Sequence, residues 1–536
     1  MITASHNPEV DNGVKLVDCT GGMLPTSWEG DAEALANAGS ADEMRKVLTK
    51  LLAIDEPASS LHPPPPKGLA PGNIPHVFLA RDTRPTGPAL AEAAASGATA
   101  AGATVTDLGL NTTPQLHFAV YASYRGLPNT ERAYYERLAR GYTELLKEDK
   151  DTDAGDAGDT HSAQVELIFV DCANGVGAGK FEKLARAIAS TGETIPLSLQ
   201  NSSSAAGFLN HQCGADFVQK EQQPPMHGTF PVNAKCVSID GDADRLVYFF
   251  TDETGETTLL DGDKIAALLA AHVGGLIQRC GDALLCSCEN KSSDGSSPNW
   301  STKNRAPLTV GVVQTAYANG ASTKFVEQKL NLKTKCTPTG VKWLHPAAEK
   351  FDVGVYFESN GHGTALFSEE ALGRIRSVAA GGDTTNGDVE VSSDSKSAAF
   401  ALLALARAIN PAVGDALSGV LVVEAILRAK GWGLNEWNGM YHDLPSKQVK
   451  IKVLDRNVVV TEDAERRATR PVGLQAAIDE KVRNAGPDAR AFARPSGTED
   501  VVRVYAEAAT RKGADDLARE VAKLVYQFAG GVGDAP

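Results

Sequence analysis

The chain has 536 residues, too many for a single hydrophobic core, and its length suggests roughly three to five domains. Hydrophobic residues make up 42% and charged residues 22%, which excludes collagen-like, coiled-coil and fully disordered chains. The 52 basic and 67 acidic side chains give a net charge of −15, so we expect no nucleic acid or anionic membrane as a partner. Any anionic ligand must be bound by a local cluster of cations and backbone N–H groups.

The sequence favours a cytoplasmic protein. Its eight cysteines include no Cys-x-x-Cys pair and are too few for a disulfide scaffold. The polar run 3–8 follows Met1 directly and is unlike a signal peptide, and no stretch of 18 apolar residues predicts a membrane span. The oligomeric state stays open.

Strand-like and helix-like segments alternate along the chain, which predicts layered α/β domains. In chain order we predict strand 76–80, helix 89–103, strand 104–108, helix 130–147, strand 165–171, helix 180–190, strand 236–239, strand 308–313, helix 322–330, strand 353–357, strand 449–453, strand 501–508 and helix 515–528. The acidic stretch 148–159 is interpreted as a linker. The predicted domains are 1–155, 160–290, 305–435 and 440–536, three similar α/β units and a different C-terminal one.

The first loop that indicates chemistry is 3–8 (TASHNP), followed by 11–15 (DNGVK). Ser5 stands among small and turn-forming residues, so we expect an exposed loop on which a bulky group can reach its Oγ. His6 and Lys15 are expected to place positive charge beside it, which suits a serine that carries phosphate. The alternative is an Asn-Pro turn with a merely polar serine, and this motif alone does not decide between them.

The second loop, 240–245 (DGDADR), follows an apolar strand. Asp240, Asp242 and Asp244 alternate, which predicts three carboxylates on one side of an extended chain and a site for Mg²⁺, a cation that prefers hard oxygen ligands. An EF-hand is excluded because Arg245 and Thr251 stand where it needs glycine and glutamate. A solvated acidic turn is disfavoured, because adjacent carboxylates repel one another unless they share a cation.

The third loop, 358–363 (ESNGHG), follows the predicted strand 353–357. Glu358, Asn360 and His362 surround a glycine turn, and these are groups that bind sugar hydroxyls and move protons. A lone histidine in a loop is more often structural, so His362 gains its weight from its neighbours.

The fourth loop, 494–500 (RPSGTED), leads into the predicted strand that carries Arg503. Two guanidinium groups, two hydroxyls and the backbone N–H groups near Gly497 predict an anion site rather than a simple turn, and favour phosphate. The segment 175–180 (GVGAGK) is a different case. It lacks the residues of a Walker loop and of a dinucleotide fingerprint, so we interpret it as a tight strand-to-helix turn with a packing role.

Together and in this order, the four loops resemble those of the α-D-phosphohexomutase superfamily, and within it the phosphoacetylglucosamine mutase branch. Further stretches are similar, namely 81–85 (RDTRP), 112–117 (TTPQLH), 170–175 (VDCANG) and 339–342 (TGVK). Asn360 stands where the usual sugar loop has serine, as in the acetylglucosamine branch. The implied fold is α/β with four domains around a central cleft: three related α/β domains and a C-terminal α+β domain that resembles TATA-box-binding protein.

The resemblance implies an intramolecular phosphotransferase that interconverts N-acetylglucosamine 6-phosphate and N-acetylglucosamine 1-phosphate through a phosphoserine and a bisphosphate, in UDP-N-acetylglucosamine synthesis. One Mg²⁺ per chain would be the cofactor, and a small hexosamine phosphate the partner. The implied metal ligands are Ser5, Asp240, Asp242 and Asp244. Ser5 would be the nucleophile, and the unranked candidates for proton transfer or charge balance are His6, Lys15, Lys342 and His362. The implied substrate-binding residues are Arg245, Glu358, Ser359, Asn360, Arg494, Pro495, Ser496, Gly497, Thr498 and Arg503.

Three alternatives remain at this point. The chain could be a phosphoglucomutase or phosphomannomutase with relaxed sugar choice, or an inactive relative that only binds sugar phosphates. An acidic metal-binding scaffold without a substrate would leave Arg494 and Arg503 unexplained.

A further expectation concerns the segment ahead of Ser5. Members of this superfamily normally carry an additional strand and loop there, with a Gly-Thr-Ser/Ala-Gly-x-Arg-type stretch, and none precedes Ser5 in this sequence. We therefore expect Met1 to be an internal methionine of a longer natural protein, Ser5 to be held at one end only, and the first sheet to have an exposed edge. The 536-residue chain would then show weak or no mutase activity.

Overall fold

The computed structural model describes residues 1–52, 74–152, 166–202, 208–285, 287–289, 299–301, 306–381, 391–497 and 499–536. Thr498, one of the expected phosphate-binding residues, and residues 153–159 of the expected linker lie outside these ranges. No helix within them is both long enough and apolar enough to cross a membrane.

The first part of the chain contains two parallel strands, β1 (His76–Arg81) and β2 (Thr104–Leu110). Its helices are α1 (Thr26–Ala36), α2 (Ala41–Leu52), α3 (Gly87–Ala100), α4 (Thr113–Tyr124) and α5 (Glu131–Thr152). A capping box fixes the start of α4, because the Thr112 hydroxyl accepts a hydrogen bond from the N–H of Gln115 at 3.1 Å. α5 continues to Thr152 rather than ending at 147, so the beginning of the expected linker is helical.

The residues ahead of Ser5 are held beside β1. Ile2 is fully buried, its N–H donates to the Ala80 carbonyl at 2.8 Å, and its carbonyl accepts from the N–H of Asp82 at 3.1 Å. The chain that follows Ser5 is held as well, because the N–H of Lys15 donates to the Met1 carbonyl at 2.8 Å. The expectation that Ser5 is held at one end only is therefore wrong, because backbone hydrogen bonds hold the chain on both sides of it.

The second and third parts repeat one sheet topology. In the second, the strands β3 (Ile168–Asp171), β4 (Leu197–Gln200), β5 (Lys235–Ile239), β6 (Leu246–Thr251) and β7 (Thr257–Leu260) have the order β4-β3-β5-β6-β7. In the third, the strands β10 (Val310–Thr315), β11 (Lys333–Thr337), β12 (Val353–Phe357) and β13 (Gly363–Phe367) have the order β11-β10-β12-β13. In both sheets the first three strands are parallel and the fourth is antiparallel, which is the relation expected of two similar α/β units.

Helices cover these two sheets. Those of the second part are α6 (Gly177–Ala189) and α7 (Ala215–Glu221); those of the third are α8 (Gly262–Cys280), α9 (Gly320–Lys324), α10 (Val341–Ala348), α11 (Glu369–Ala379), α12 (Ser393–Ala408), α13 (Ala416–Lys430) and α14 (Leu434–Asn438). A π-helical turn, Phe325–Lys329, continues α9 over the end of the predicted helix 322–330. The strands β8 (Ser287–Glu289) and β9 (Asn299–Ser301) pair antiparallel. One continuous apolar core runs through α5, both sheets, α8, α12 and α13.

The fourth part has an apolar core of its own, separate from the large one. Its antiparallel sheet has the order β14-β18-β17, with β14 (Ser446–Lys452), β17 (Arg490–Pro495) and β18 (Val501–Glu507). The remaining elements are the hairpin of β15 (Val460–Glu462) and β16 (Arg467–Arg470), α15 (Leu474–Ala485) and α16 (Arg511–Phe528). The four expected loops thus lie at strand ends: one beside β1, and the others after β5, after β12 and between β17 and β18.

Candidate active site

Ser5 lies in a tight loop and is buried, with 5% of its surface exposed. The expectation of an exposed serine is therefore wrong. Its φ of 48° is in the left-handed region, a strained conformation for serine that persists only where the surroundings hold it. Three hydrogen bonds do so: its N–H donates to the Thr3 hydroxyl at 3.0 Å, and its carbonyl accepts from Asn210 Nδ2 at 2.8 Å and Arg84 Nη2 at 3.3 Å.

The Ser5 hydroxyl contacts a lysine and an aspartate. Its Oγ lies 2.5 Å from Lys15 Nζ and donates to Asp242 Oδ2 at 3.0 Å. Lys15 Nζ also donates to Asp242 Oδ2 at 2.8 Å and to Asp244 Oδ2 at 2.7 Å. Burial acts to lower the pKa of Lys15, but the two carboxylates outweigh it and raise the pKa above its usual value, so the ammonium stays charged beside Ser5.

Asp240, Asp242 and Asp244 converge in the loop after β5, and one oxygen of each lies within 4.8 Å of the others. The loop is a turn with Ala243 in the left-handed region (φ 58°), so the expectation of an extended chain is wrong although the carboxylates do gather. All three side chains are buried. Burial and the neighbouring Asp244 and Asp242 raise the pKa of Asp240, as expected when like charges share a low-dielectric site.

These carboxylates fit a divalent cation. Asp240 Oδ2, Asp242 Oδ1 and Asp244 Oδ1 are buried and have no hydrogen-bond partner among the described residues. Three buried oxygens that accept no hydrogen bond from any described residue, in so small a space, are the donor set that a hard cation such as Mg²⁺ needs. The ammonium of Lys15, bonded to two of the three aspartates, marks the same place as one that favours positive charge.

His6 lies close to Arg245, the last residue of the metal-binding loop. Burial, followed by the charge of Arg245, lowers the pKa of His6 to about 4. The imidazole is therefore neutral at pH 7, and the expectation that His6 adds positive charge beside Ser5 is wrong; Lys15 supplies it. The Arg245 guanidinium lies 3.6 Å from Asp216, 3.9 Å from Asp240 and 3.8 Å from Asp244, where it balances part of the acidic charge.

The expected sugar loop is a turn between β12 and β13. Glu358 Oε1 accepts from the N–H of Gly340 at 2.9 Å, and Asn360 donates to Glu358 Oε2 at 3.3 Å. Gly361 has a φ of 86°, and a Cβ there would lie 1.7 Å from the Leu246 carbonyl oxygen, so only glycine fits at this contact with β6. Within the turn the His362 N–H donates to Asn360 Oδ1 at 3.0 Å, and Ser359 Oγ donates to the Tyr317 carbonyl at 3.4 Å.

His362 connects this loop to the metal-binding loop, because its Nδ1 lies 3.3 Å from Asp244 Oδ1. Its Nε2 is buried without a hydrogen-bond partner among the described residues. Lys342 is placed differently from the other candidate bases: its Nζ pairs with Glu29 of α1 at 2.7 Å. The structure thus brings Ser5, Lys15 and the three aspartates together, with His362 at their edge, while Lys342 bridges the first and third parts.

The expected phosphate loop lies between β17 and β18. Arg494 and Arg503 are directly opposite each other in the antiparallel ladder, so both side chains lie on one face of the sheet. Arg494 pairs with Glu465 at 3.0 Å, and Arg503 with Glu499 at 3.5 Å. Pro495 ends β17, and Ser496 and Gly497 begin the connection, in which the Ser496 N–H donates to the Val501 carbonyl at 2.9 Å. Two opposed guanidinium groups form a site that an anion stabilises.

Sequence reasoning missed several contributors to this site. Thr113 donates to Asp242 Oδ2 at 2.6 Å, and Arg84 Nη2 donates to the Asn7 carbonyl at 2.7 Å, so both fix the Ser5 region. Both residues belong to stretches that resemble the superfamily, 112–117 and 81–85, but the sequence assigned no role to either residue. Asn210 and Glu465 stand in no stretch that the motifs mark.

Family models match all four parts of the chain. Those described as phosphoacetylglucosamine mutase AMG1, domain II and domain III, match residues 129–247 and 261–432. The phosphoglucomutase/phosphomannomutase alpha/beta/alpha domain I matches 1–43 and 69–127, and the C-terminal domain of that family matches 454–524. The phosphoacetylglucosamine mutase of Sus scrofa is 43% identical over 540 residues, covering 100% of this chain and 88% of the relative. The chain belongs to the phosphoacetylglucosamine mutase family.

A further relative and a solved structure are mutases of the same kind. The phosphoacetylglucosamine mutase of Oryza sativa subsp. japonica is 42% identical, over 99% of this chain and 88% of its own. The crystal structure of the Aspergillus fumigatus N-acetylphosphoglucosamine mutase in complex with GlcNAc-6P and magnesium has a TM-score of 0.81 at 40% identity, covering 99% of this chain and 88% of that one.

Membership of the phosphoacetylglucosamine mutase family confirms the resemblance inferred from the four loops, the four-domain phosphohexomutase fold and the enzyme class, a mutase. The alternatives of a phosphoglucomutase or phosphomannomutase, of an inactive relative and of a metal-binding scaffold are not favoured. The predicted domain boundaries and the roles of individual site residues stay predictions.

Proposed function

We propose that this chain interconverts N-acetylglucosamine 6-phosphate and N-acetylglucosamine 1-phosphate, with Ser5 as the residue that carries and transfers phosphate. The observation that carries the proposal is the position of Ser5 Oγ, which contacts Lys15 Nζ at 2.5 Å and Asp242 Oδ2 at 3.0 Å inside a buried acidic cluster. Relatives support the substrate: one Aspergillus fumigatus complex contains GlcNAc-6P and magnesium, and another contains glucose1,6bisphosphate.

In the proposed reaction, phosphoserine 5 donates its phosphoryl group to the free hydroxyl of the bound sugar phosphate. The bond from phosphorus to Ser5 Oγ breaks, a bond to the sugar oxygen forms, and the sugar hydroxyl gives up its proton. The product of this step is a bisphosphate. It turns over in the cleft, and its other phosphoryl group returns to Ser5 by the same exchange of bonds.

We assign the charge that develops on Ser5 Oγ to Lys15. Its ammonium lies 2.5 Å from that oxygen and stays protonated, so it stabilises the serine oxyanion as the phosphoryl group leaves. Asp240, Asp242 and Asp244 would hold one Mg²⁺, together with an oxygen of Ser5 or its phosphate. The ion supplies positive charge that neutralises the oxygens of the transferring group.

The other two loops bind the rest of the substrate. Arg494 and Arg503, with Ser496, Gly497 and Thr498, would hold the phosphate that does not react, because two opposed guanidinium groups accept either end of the sugar phosphate equally well. Glu358, Ser359 and Asn360 would hold sugar hydroxyls, and His362 is the candidate for the proton of the attacking hydroxyl. On the sequence evidence we also propose a cytoplasmic role in supplying UDP-N-acetylglucosamine synthesis.

The proposal is tested by finding which residue of the purified protein carries phosphate. The purified protein is incubated with Mg²⁺ and glucose 1,6-bisphosphate, and its intact mass and peptide masses are measured. We expect one phosphate, on the peptide that contains Ser5, and none in a Ser5→Ala variant that unfolds at the same temperature. Phosphate on another residue, or an unchanged mass, contradicts the assignment of Ser5.

A further inference from the structure

Glu465 stands at the tip of the β15–β16 hairpin, in a backbone conformation that few side chains adopt. Asp463, Ala464 and Glu465 have φ values of 51°, 54° and 68°, three successive non-glycine residues in the left-handed region. Such conformations are strained and persist where the surroundings hold them, most often at functional sites. The turn fixes the direction in which Glu465 leaves the hairpin.

One oxygen of Glu465 joins two parts of the chain. Its Oε2 accepts from the Thr339 hydroxyl at 2.6 Å and from the Thr339 N–H at 3.0 Å, and it lies 3.0 Å from Arg494 Nε. The Glu465 and Arg494 side chains are only 18% and 13% exposed, so solvent screens this pair weakly. The Arg494 Nε–H is not aligned for a hydrogen bond, so charge is what joins Arg494 to Glu465, and the guanidinium also lies 5.9 Å from the centre of the Tyr317 ring.

The backbone next to Thr339, in the third part, binds a second carboxylate. The N–H of Gly340, next to that of Thr339, donates to Glu358 Oε1 of the sugar loop at 2.9 Å. A continuous line of polar contacts therefore runs from Arg494 through Glu465, Thr339 and Gly340 to Glu358. Glu465, which pairs with the arginine of the phosphate loop, and Glu358 of the sugar loop thus accept hydrogen bonds from adjacent backbone N–H groups.

The geometry favours positioning over competition with the substrate. The closest approach of Glu465 is to Nε, the inner nitrogen of Arg494, and this leaves the outer edge of the guanidinium for a bidentate contact with phosphate. Across the residues that the structure describes, no other carboxylate lies within ion-pair distance of Arg494. Arg503 stands directly opposite on β18, and like charges in that position repel each other, so the negative charge of Glu465 favours the present place of Arg494.

We propose that Glu465 is a positioning residue that aims Arg494 at the substrate phosphate and couples it, through Thr339, to the sugar loop. The proposal rests on the proposed function, in which Arg494 binds the phosphate that does not react. Glu465 itself does not contact substrate. It sets the geometry in which phosphate binding at one end of the cleft favours sugar binding at the other.

The first experiment measures the binding of inorganic phosphate to Glu465→Gln by isothermal titration calorimetry. Glutamine keeps an acceptor for Thr339 but loses the charge that holds Arg494, and we expect the dissociation constant for phosphate to rise by about tenfold. Glu462→Gln, an exposed position on the same hairpin, removes an equal charge and should leave the constant unchanged. An unchanged or tighter constant for Glu465→Gln overturns the proposal.

A double-mutant cycle separates positioning from general stability. If Glu465 acts through Arg494, Glu465→Gln adds no further loss in an Arg494→Ala background, whereas independent effects would multiply and contradict the proposal. Thr339→Val, which changes the third part only and removes one donor to Glu465, should weaken phosphate binding in the same direction. It serves as the test should Glu465→Gln fold poorly.

Turnover distinguishes this proposal from the proposed function. With N-acetylglucosamine 6-phosphate as substrate, Glu465→Gln should raise KM by about tenfold with little change in kcat, because the phosphate grip acts in the ground and transition states alike. A wild-type protein that binds phosphate but converts no sugar phosphate contradicts the proposed function, and the phosphate measurements still decide the role of Glu465.

Discussion

Asp242 is the carboxylate on which the Ser5 region converges. Its Oδ2 accepts from Thr113 at 2.6 Å, Lys15 at 2.8 Å and Ser5 at 3.0 Å, while its Oδ1 has no partner among the described residues. We predict that Asp242→Asn raises the Mg²⁺ concentration needed for half-maximal activity by about tenfold or more, because one of three charged oxygen ligands is lost. A magnesium titration of the mutase rate measures it. Asp107→Asn, at an exposed position, is the control, and equal midpoints in the two variants would mean that the loop binds no metal.

His117 of α4 is fully buried and neutral. Its Nδ1 donates to the Gly21 carbonyl at 2.8 Å, and burial lowers its pKa from the usual 6.5 to about 3. Because the folded-state pKa lies below the unfolded value, protonation between pH 6.5 and 3 favours the unfolded chain. Stability is therefore lost as pH falls through this range, with a slope of up to about 1.4 kcal/mol per pH unit for one proton.

We predict that His117→Gln makes the melting temperature less sensitive to pH between 6.5 and 4, whatever its effect at pH 7. Thermal unfolding at a series of pH values measures this slope. His211→Gln, at an exposed histidine, should keep the slope of the parent protein. If His117→Gln loses stability with acid as steeply as the parent, His117 does not contribute to the acid sensitivity.

At this scale the sequence predicted which residues gather but not their surroundings. The motif around Ser5 indicated Lys15 as a neighbouring charge, and the two side chains do contact each other. The predicted exposure of Ser5 and the predicted positive charge of His6 were both wrong. Both depend on burial, and burial is set by chain segments distant in sequence, such as the one that carries Asn210. Composition around a motif cannot report such contacts.

At the scale of elements, the glycine-rich turn between β3 and α6 supports the metal-binding loop. The N–H of Val176 donates to the Gly241 carbonyl at 3.0 Å, and a Cβ on Gly175 would lie 2.3 Å from that oxygen and 2.6 Å from the Gly241 Cα. Since Gly241 stands between Asp240 and Asp242, any shift of this backbone moves the metal ligands. The segment 175–180 therefore packs, as expected, and the backbone against which it packs is that of the metal-binding loop.

We predict that Gly175→Ala destabilises the protein by about 1–3 kcal/mol and weakens Mg²⁺ activation, because both backbones must move apart. Gly179→Ala is the matched control: it lies in α6 with open space around it, and alanine there should be neutral or slightly stabilising. Denaturant unfolding and magnesium titration of the two variants compare them. Equal behaviour of the two alanine variants would contradict the close approach of the loops.

Local patterns predicted β1, β5, β12 and β18 to within one residue at each end. The bounds of β2, β3, β10 and β14 differ from the predicted ones by two or three residues, and the other ten strands in the described part of the chain were not predicted. Helix bounds were less accurate. α9 gives way to a π-helical turn at Phe325–Lys329, and α5 continues through an acidic run that reads as a linker. The apolar side chains of α5 pack against the shared core as far as Leu146, and the helix continues beyond them to Thr152.

At the scale of the whole molecule, the four loops are connected by side-chain contacts that no single motif shows. His362 of the sugar loop approaches Asp244 of the metal-binding loop at 3.3 Å, and Glu465 joins the third and fourth parts. Motif order along the chain indicated a shared fold and a common cleft. The contacts between loops depend on how separate units dock, so they could be obtained only from the structure.

The most direct test of this account is a ³¹P NMR time course of N-acetylglucosamine 6-phosphate with the protein, Mg²⁺ and a trace of glucose 1,6-bisphosphate. We predict that the resonance of the 1-phosphate appears, that its formation stops when Mg²⁺ is chelated, and that a Ser5→Ala variant lowers the rate by several orders of magnitude. A Ser5→Ala variant that forms the 1-phosphate as fast as the parent protein would contradict the central claim that Ser5 carries the transferred phosphate.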